Sequence, residues 1–272
     1  MTTAPPITHD SGTDKLLVQV DDGVGRVTFN NPEKRNALSV EVRIALPGVL
    51  RNLEADADVR VVVLTGAGGK AFVSGADISE FGASRTTPEA RAEYDRAGAE
   101  SGAAWTAVTK PIIAMIQGFC IGGGLLTAMQ ADFRICSEDS QFGVPAAKLG
   151  LGYGYGGVQS LVNLVGPSWA SEILFSARRL SAAEALHIGL VNRVVPVDQL
   201  EATVGELATM IKGNAPLTIA ACKAAIRETQ RDAAKRNLDR VSEMTEACFR
   251  SEDYLEGQKA FTEKRAPNFV GR

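Results

Sequence analysis

Two runs in this chain are apolar almost without interruption, "VRVVVLTG" at 59–66 and "KPIIAMIQG" at 110–118, and both end in glycine. A β-branched run without polar alternation is the signature of a strand buried on both faces. With helical stretches between and after them, such strands argue for a layered α/β domain. Each run feeds a glycine-bearing segment, "TGAGGKAFVSGADISEF" and "QGFCIGGGLL". Glycine is a poor way to begin a helix, about 1 kcal/mol worse than alanine per interior position. Gly122, Gly123 and Gly124, placed directly before the helical run "LLTAMQAD", therefore mark a place that needs a bare backbone.

The remaining elements follow from pattern. "KLLVQVDDGVGRVTFNNP" reads as two strands, Leu16–Val20 and Val24–Asn30, around a glycine turn. Ser39 opens a helix to about Glu54, with a kink or break predicted at Pro47. A second helix runs from about Pro88 to Val108, and "DFRICS", "SQFG" and "LVNRVV" are short strands. Ser181 with Glu184, and Asp198 with Glu201, have the spacing of capping boxes. From Pro216 the chain is nearly all helix, with a hinge near Ser251. The expected organisation is a loose tail over 1–14, a core over 15–200 and a helical region over 201–272. The boundary near 200 is a change of layer rather than an independent domain.

Composition removes several functional classes. Lys and Arg number 29 against 32 Asp and Glu, a net charge of -3, which argues against a nucleic-acid protein held by bulk electrostatics. Cys120, Cys136, Cys222 and Cys248 form no CxxC pair, and His9 and His187 are the only histidines, so no metal site is expected. "MTTAPPITHDSGTDK" lacks the apolar core of a signal peptide, and no run approaches the roughly 20 apolar residues that cross a bilayer. The expectation is a soluble, cytoplasmic protein with neither nucleic acid nor membrane as partner.

Ligands of open α/β sheets collect at the carboxyl ends of strands. A helix N-terminus there offers unpaired N–H groups and a partial positive charge. Two glycine-bearing loops at two such ends can aim two backbone donors at one oxygen, which is an oxyanion hole. The alternative is that the glycines only permit tight strand–helix packing.

"AFVSGADISEF" followed by "IIAMIQGFCIGGGLLTAMQADFRICSEDSQFGVP" resembles the enoyl-CoA hydratase/isomerase (crotonase) family. So do "NPEKRNAL" before it, and "LSAAEALHIGLVNRVVP" and "FTEKRAPNF" after it. The resemblance runs from about Lys15 to Phe269. It implies the crotonase fold, a ClpP-like spiral of ββα units with a C-terminal helical region that assembles trimers, often hexamers. It also implies a coenzyme A thioester as substrate or ligand, with no further cofactor. On the family's pattern the backbone N–H groups of Ala76 and Gly123 hold the thioester oxygen, and an enolate-like anion is the shared intermediate.

The same pattern places two glutamates in hydratases, one in the helix after the glycines and one just past the "QFG-x-P" strand. Here those positions are Leu126 and Ala146, which move no proton and give the acyl pocket an apolar floor. General acid–base catalysis contributes typically 10²–10⁴-fold per group, so ordinary hydration is expected to be crippled. Tyr153 and Tyr155 fall in the loop that lines the acyl pocket of relatives, Tyr153 where some family decarboxylases carry a functional tyrosine. An enolate made by losing CO₂ needs no base. In the family Asp77 is usually structural, and Asp132 is expected to support its loop through backbone hydrogen bonds.

For the rest of coenzyme A, the resemblance implies Lys34 and Arg35 near the nucleotide, and Ala37 and Leu38 along the pantetheine and adenine. Lys264 and Arg265 are implied as phosphate partners, from the same or a neighbouring subunit. Literal motif matches compete poorly. Gly152, Gly154 and Gly157 spell GxGxxG, but after a poor strand and late in the chain; "GAGGKA" lacks the Ser or Thr of a phosphate loop; Ser74 is not in a G-x-S-x-G elbow. The serious competitor in another class is a non-catalytic acyl-CoA-binding protein.

Overall fold

A computed structural model of the chain describes residues 7–80 and 87–272. Among these, the main sheet has the strand order β1 (Ile7–His9), β2 (Leu16–Asp21), β3 (Val24–Phe29), β4 (Val61–Gly66), β6 (Ile112–Ile116), β8 (Phe133–Ser137), β11 (Arg193–Val195). The first three strands are antiparallel, and from β3 onward neighbours are parallel. A smaller sheet has the order β10 (Leu180–Ser181), β9 (Gln141–Gly143), β7 (Phe119–Ile121), β5 (Ala71–Val73).

The uninterrupted apolar runs are explained by what covers each face. Side chains alternate across a strand. Val62, Leu64, Ile112, Ala114 and Ile116 accordingly enter the main core, with α1 (Val40–Ala55) and the small sheet. Val61, Val63, Ile113, Met115 and Ile135 face the other way, onto Leu200, Val204, Ala208 and Ile211 of α6 (Leu200–Lys212). Those four form the stripe of an amphipathic helix, and burying each Leu, Val or Ile contributes about 1.5–3 kcal/mol.

The helices are α1, α2 (Pro88–Ala107), α3 (Gly123–Ala128), α4 (Tyr155–Ser176), α5 (Ala182–His187), α6 (Leu200–Lys212), α7 (Pro216–Thr229), α8 (Leu238–Phe249) and α9 (Glu252–Glu263). Ser39 and Ser181 are N-caps, Ser181 in a complete capping box with Glu184, and the chain breaks at Ser251, the N-cap of α9. No helix among the described residues is long and apolar enough to cross a membrane.

Four expectations need correction. α1 runs through Pro47 without a break, because the proline ring is buried beside Leu46, Val49 and Leu50. The proline-associated break occurs instead inside α4, where Gly166 before Pro167 leaves helical geometry (φ 75°, ψ 166°). Asp198 caps nothing: it lies inside a 3-10 turn, and Glu201 pairs with Arg26. The tail is not loose over 7–9, which pair with β2 in the register Ile7↔Val20, Thr8↔Gln19, His9↔Val18; residues 1–6 lie outside the described residues. Finally, α6 belongs to the core layer, so the separate helical region starts at α7 rather than at residue 201.

α7 is fastened to the core by two cations. Lys223, 6% exposed, donates to Asp132 Oδ2 (2.7 Å) and to the Lys110 carbonyl (2.7 Å), and Asp132 also accepts from the Ile112 N–H (2.7 Å). Arg227 donates to the carbonyls of Thr106 (2.8 Å) and Val108 (2.9 Å), where α2 ends. Removing one partner of a buried pair costs about 3–5 kcal/mol. Lys223→Met is expected to lower stability by about 3 kcal/mol, read as a lower urea midpoint at unchanged slope.

Candidate active site

Three short parallel strands deliver the site. β5, β7 and β9 lie side by side, with Ala71↔Phe119 and Ile121↔Gly143 in register, so their carboxyl ends emerge together. From β5 come Gly75 and Ala76, from β7 Gly122 and Gly123, and from β9 Pro145 and Ala146. The ends are in contact. The Gly122 N–H donates to the Gly143 carbonyl (2.8 Å), and a Cβ built on Gly122 would lie 3.9 Å from both Gly75 Cα and Pro145 Cδ. A Cβ on Gly123 would lie 3.5 Å from the Ala76 nitrogen and 3.6 Å from Leu38 Cδ1.

The direction of two N–H groups follows from hydrogen bonding. Leu38 and Ala76 form a parallel bridge in which the Leu38 N–H donates to Gly75 O (2.8 Å) and Leu38 O accepts from the Asp77 N–H (3.0 Å). Leu38 thus bonds the residues flanking Ala76, and the Ala76 N–H is turned to the opposite side. Gly123 is the first residue of α3, where an N–H has no intrahelical acceptor. Among the described residues neither N–H has a backbone acceptor. The glycine after them is fixed by packing: a Cβ on Gly124 would sit 2.0 Å from the Val73 carbonyl oxygen.

Around this point the lining is apolar. Leu126 is one turn along α3 from Gly123, and Leu38, Leu126, Ala146 and Tyr153 pack against the main core while remaining partly open. Tyr153 is seated by a missing side chain, since a Cβ on Gly157 would lie 2.9 Å from both Tyr153 Cε1 and Leu126 Cδ2. Its hydroxyl is buried with no partner among the described residues, and burial raises its pKa, so it stays a neutral donor. The neighbouring Tyr155 points away, 80% exposed at the start of α4.

The charged residues expected to meet coenzyme A divide. The Lys34 ammonium binds Asp77 Oδ2 (2.8 Å) and Ser79 Oγ (3.3 Å), which holds the Asp77 carboxyl below its usual range. Asp77 is thereby tied to the 31–38 turn and to Ser79. The Arg35 guanidinium lies over the Phe119 ring, 5.1 Å from its centroid, and Ala37 is part of the turn between them and Leu38. Lys264 and Arg265 follow directly on α9, Lys264 as its C-cap. Arg265 pairs with Glu256 and Glu263, and the segment after it is tied by the Phe269 carbonyl to Arg60, which precedes β4. No sequence signal was read for Asn36, a buried residue whose amide clamps the 31–38 turn to the chain before β5.

A cleft lined by Trp105, Asp132, Asn163, Lys223 and Arg227 lies past the other end of α3, at the joint between core and helical region. Asp132, Lys223 and Arg227 are committed there to the fastening described above.

The comparison with known proteins settles the lineage. Residues 19–272 match the family model described as enoyl-CoA hydratase/isomerase. The chain belongs to that family. A short-chain-enoyl-CoA hydratase of Clostridium acetobutylicum is 38% identical over 250 residues, covering 92% of this chain and 95% of that protein. A carnitinyl-CoA dehydratase of Salmonella typhi is 36% identical over 250 residues, covering 90% and 94%. Among solved structures, an enoyl-CoA hydratase from Bacillus anthracis superposes with a TM-score of 0.85 at 32% identity, covering 95% of this chain and all of that one (100%). The two-sheet architecture is therefore the crotonase fold, and the hydratase/isomerase chemistry of acyl-CoA thioesters is the family's domain.

The Lys34–Asp77 pair makes a pH-dependent contribution. Because the folded Asp77 pKa is depressed, that contribution is present above the unfolded value of about 3.9 and disappears as pH falls through the folded value. Asp77→Asn is therefore expected to melt below the parent at pH 7 and to approach it under acid, which differential scanning calorimetry across pH would show. Gly124→Ala is expected to fail to fold, or to lose several kcal/mol, because the contact it creates is with backbone.

Proposed function

We propose that the chain binds an acyl-CoA thioester with its carbonyl oxygen between the N–H groups of Ala76 and Gly123, and stabilises the enolate-like anion formed from it. The observation that supports this reading is the proximity of two N–H groups from separate strand ends, neither with a backbone acceptor among the described residues, Ala76 N lying 3.5 Å from the Cβ position of Gly123. Preorganised donors of this kind supply stabilisation where charge develops, and losing one typically lowers kcat about 10²–10³-fold. Pantetheine would run along Ala37 and Leu38, with Arg35, which has no carboxylate partner among the described residues, toward the nucleotide. Lys34 is committed to Asp77, which argues for a positional role. Lys264 and Arg265 would reach a phosphate only from a neighbouring subunit. Exposed Leu238, Phe249, Leu255 and Phe261 on the C-terminal helices supply the apolar surface for the homotrimer or dimer of trimers that this requires.

Leu126 and Ala146 line the same pocket without a proton-transfer group, so water addition to a simple enoyl thioester would be slow. A second reading is favoured by one observation, the partnerless Tyr153 hydroxyl. In an apolar pocket it would donate to an oxygen on the acyl group, orienting a carboxylate for loss as CO₂ while the thioester takes up the electron pair as an enolate. A chain that bound acyl-CoA with no turnover would leave this hydroxyl without a role.

A thioester panel with mass-spectrometric readout tests both readings. Crotonyl-CoA hydration is expected to be slow in the parent and to rise by about 10² or more in Leu126→Glu/Ala146→Glu. Parent hydration at the rate of the relatives would refute the reading of those two positions. Gly123→Pro keeps a residue tolerated at a helix start and deletes one donor, so turnover of any accepted thioester should fall about 10²-fold with coenzyme A affinity retained. Tyr153→Phe should abolish consumption of malonyl- or methylmalonyl-CoA; unchanged consumption would remove the second reading.

A further inference from the structure

Asn36 lies between Arg35 and Ala37 with its amide turned into the protein, and the course of the Ala76 loop leads back to it. Arg35 and Asn36 are consecutive non-glycine residues in left-handed geometry, with φ 52° and 56°. L residues adopt this region rarely, and asparagine is among the few that tolerate it. Asn36 is 2% exposed and every polar group of its amide is used. Its Oδ1 accepts from the Asn31 N–H (2.9 Å), and its Nδ2 donates to the carbonyls of Ala67 (2.9 Å) and Ala71 (2.7 Å). Because one end faces a donor and the other two acceptors, the amide has a single orientation that satisfies all three.

The consequence appears two residues on. The amide holds the 31–38 turn against both ends of the 67–71 connection, and from that anchor the backbone runs out to Leu38. On the way, the Arg35 carbonyl accepts from the Ser74 N–H (3.1 Å). Leu38 then bonds Gly75 and Asp77 on either side of Ala76. A shift of Leu38 along its own strand direction would rotate the Ala76 peptide; from the amino-terminal side the Asn36 anchor, the Ser74 tie and the Lys34–Asp77 pair hold that position, and of these the Asn36 amide is the one enclosed by the protein.

We infer that Asn36 is a positioning residue for the reaction: its buried amide sets the direction of the Ala76 N–H through Leu38. The inference rests on the reading of Ala76 as a donor to the thioester oxygen. It predicts a selective defect. Contacts to the nucleotide and pantetheine survive loss of the amide, whereas polarisation of the thioester carbonyl does not.

Asn36→Gly is the informative variant, because glycine keeps the left-handed backbone and deletes only the amide. Asn36→Asp is the second: it retains the acceptor for Asn31 and sets a carboxylate against two carbonyls. The probe is butyryl-CoA, isotopically labelled at its carbonyl carbon and unable to react as an enoyl substrate, followed by difference infrared spectroscopy; binding of free coenzyme A is measured alongside by calorimetry. In the parent the carbonyl band of the bound thioester is expected to lie below its position in water. In Asn36→Gly the band should return most of the way, with free coenzyme A binding within about twofold of the parent. On any accepted substrate kcat should fall by about tenfold or more at nearly constant KM. A variant that melts earlier but keeps the parent's band position overturns the inference and leaves the Ala76 reading intact. A parent whose carbonyl band does not move on binding overturns both. Should Asn36→Gly fail to fold, the same comparison with Asn36→Asp decides.

Discussion

The site depends on parallel pairing in a sheet of very short strands. β5, β7 and β9 contribute three residues each, and their register brings three chain reversals to one level. Backbone that leaves a parallel strand end has no ladder partner ahead of it, so its N–H groups are available. The fold fixes where those groups stand by contacts of their immediate neighbours: Gly124 pressed on the Val73 carbonyl, Gly143 bonded to Gly122, and Leu38 laid beside Ala76. No side chain need carry charge there, which fits the apolar surroundings of Leu126, Ala146 and Leu38.

That apolar lining separates this chain from what its lineage alone would suggest. Descent within the hydratase/isomerase family fixes the fold, and relatives bear names of hydratases and dehydratases of coenzyme A thioesters. Two positions in the pocket nevertheless hold leucine and alanine. Beside them lies the Tyr153 phenol, which burial keeps protonated. On the reading proposed above, such a site would stabilise an anion and direct a hydrogen bond rather than shuttle protons to water.

Much of this was legible in the sequence, for identifiable reasons. β4 and β6 were readable because burial on both faces leaves no polar residue in the run, and the glycines were readable because each is expensive where it stands. Ser181 and Glu184 were readable because a capping box is local. The misreadings concern residues whose state is decided by distant neighbours. Pro47 continues a helix with its ring buried, and Asp198 loses its cap to a tighter turn. Asn36 escaped notice since nothing in "NPEKRNAL" says that its amide will be enclosed by carbonyls of the next strand connection.

The strand at Ile7–His9 has a practical side. It covers the Val18–Val20 end of β2, at the outermost edge of the main sheet. An expression clone begun at residue 10 or later would bare those backbone donors and acceptors, inviting another chain to add its own strand. Shortening this protein at the front thus trades a neat terminus for a sticky border, and soluble yield would register the difference before any assay did.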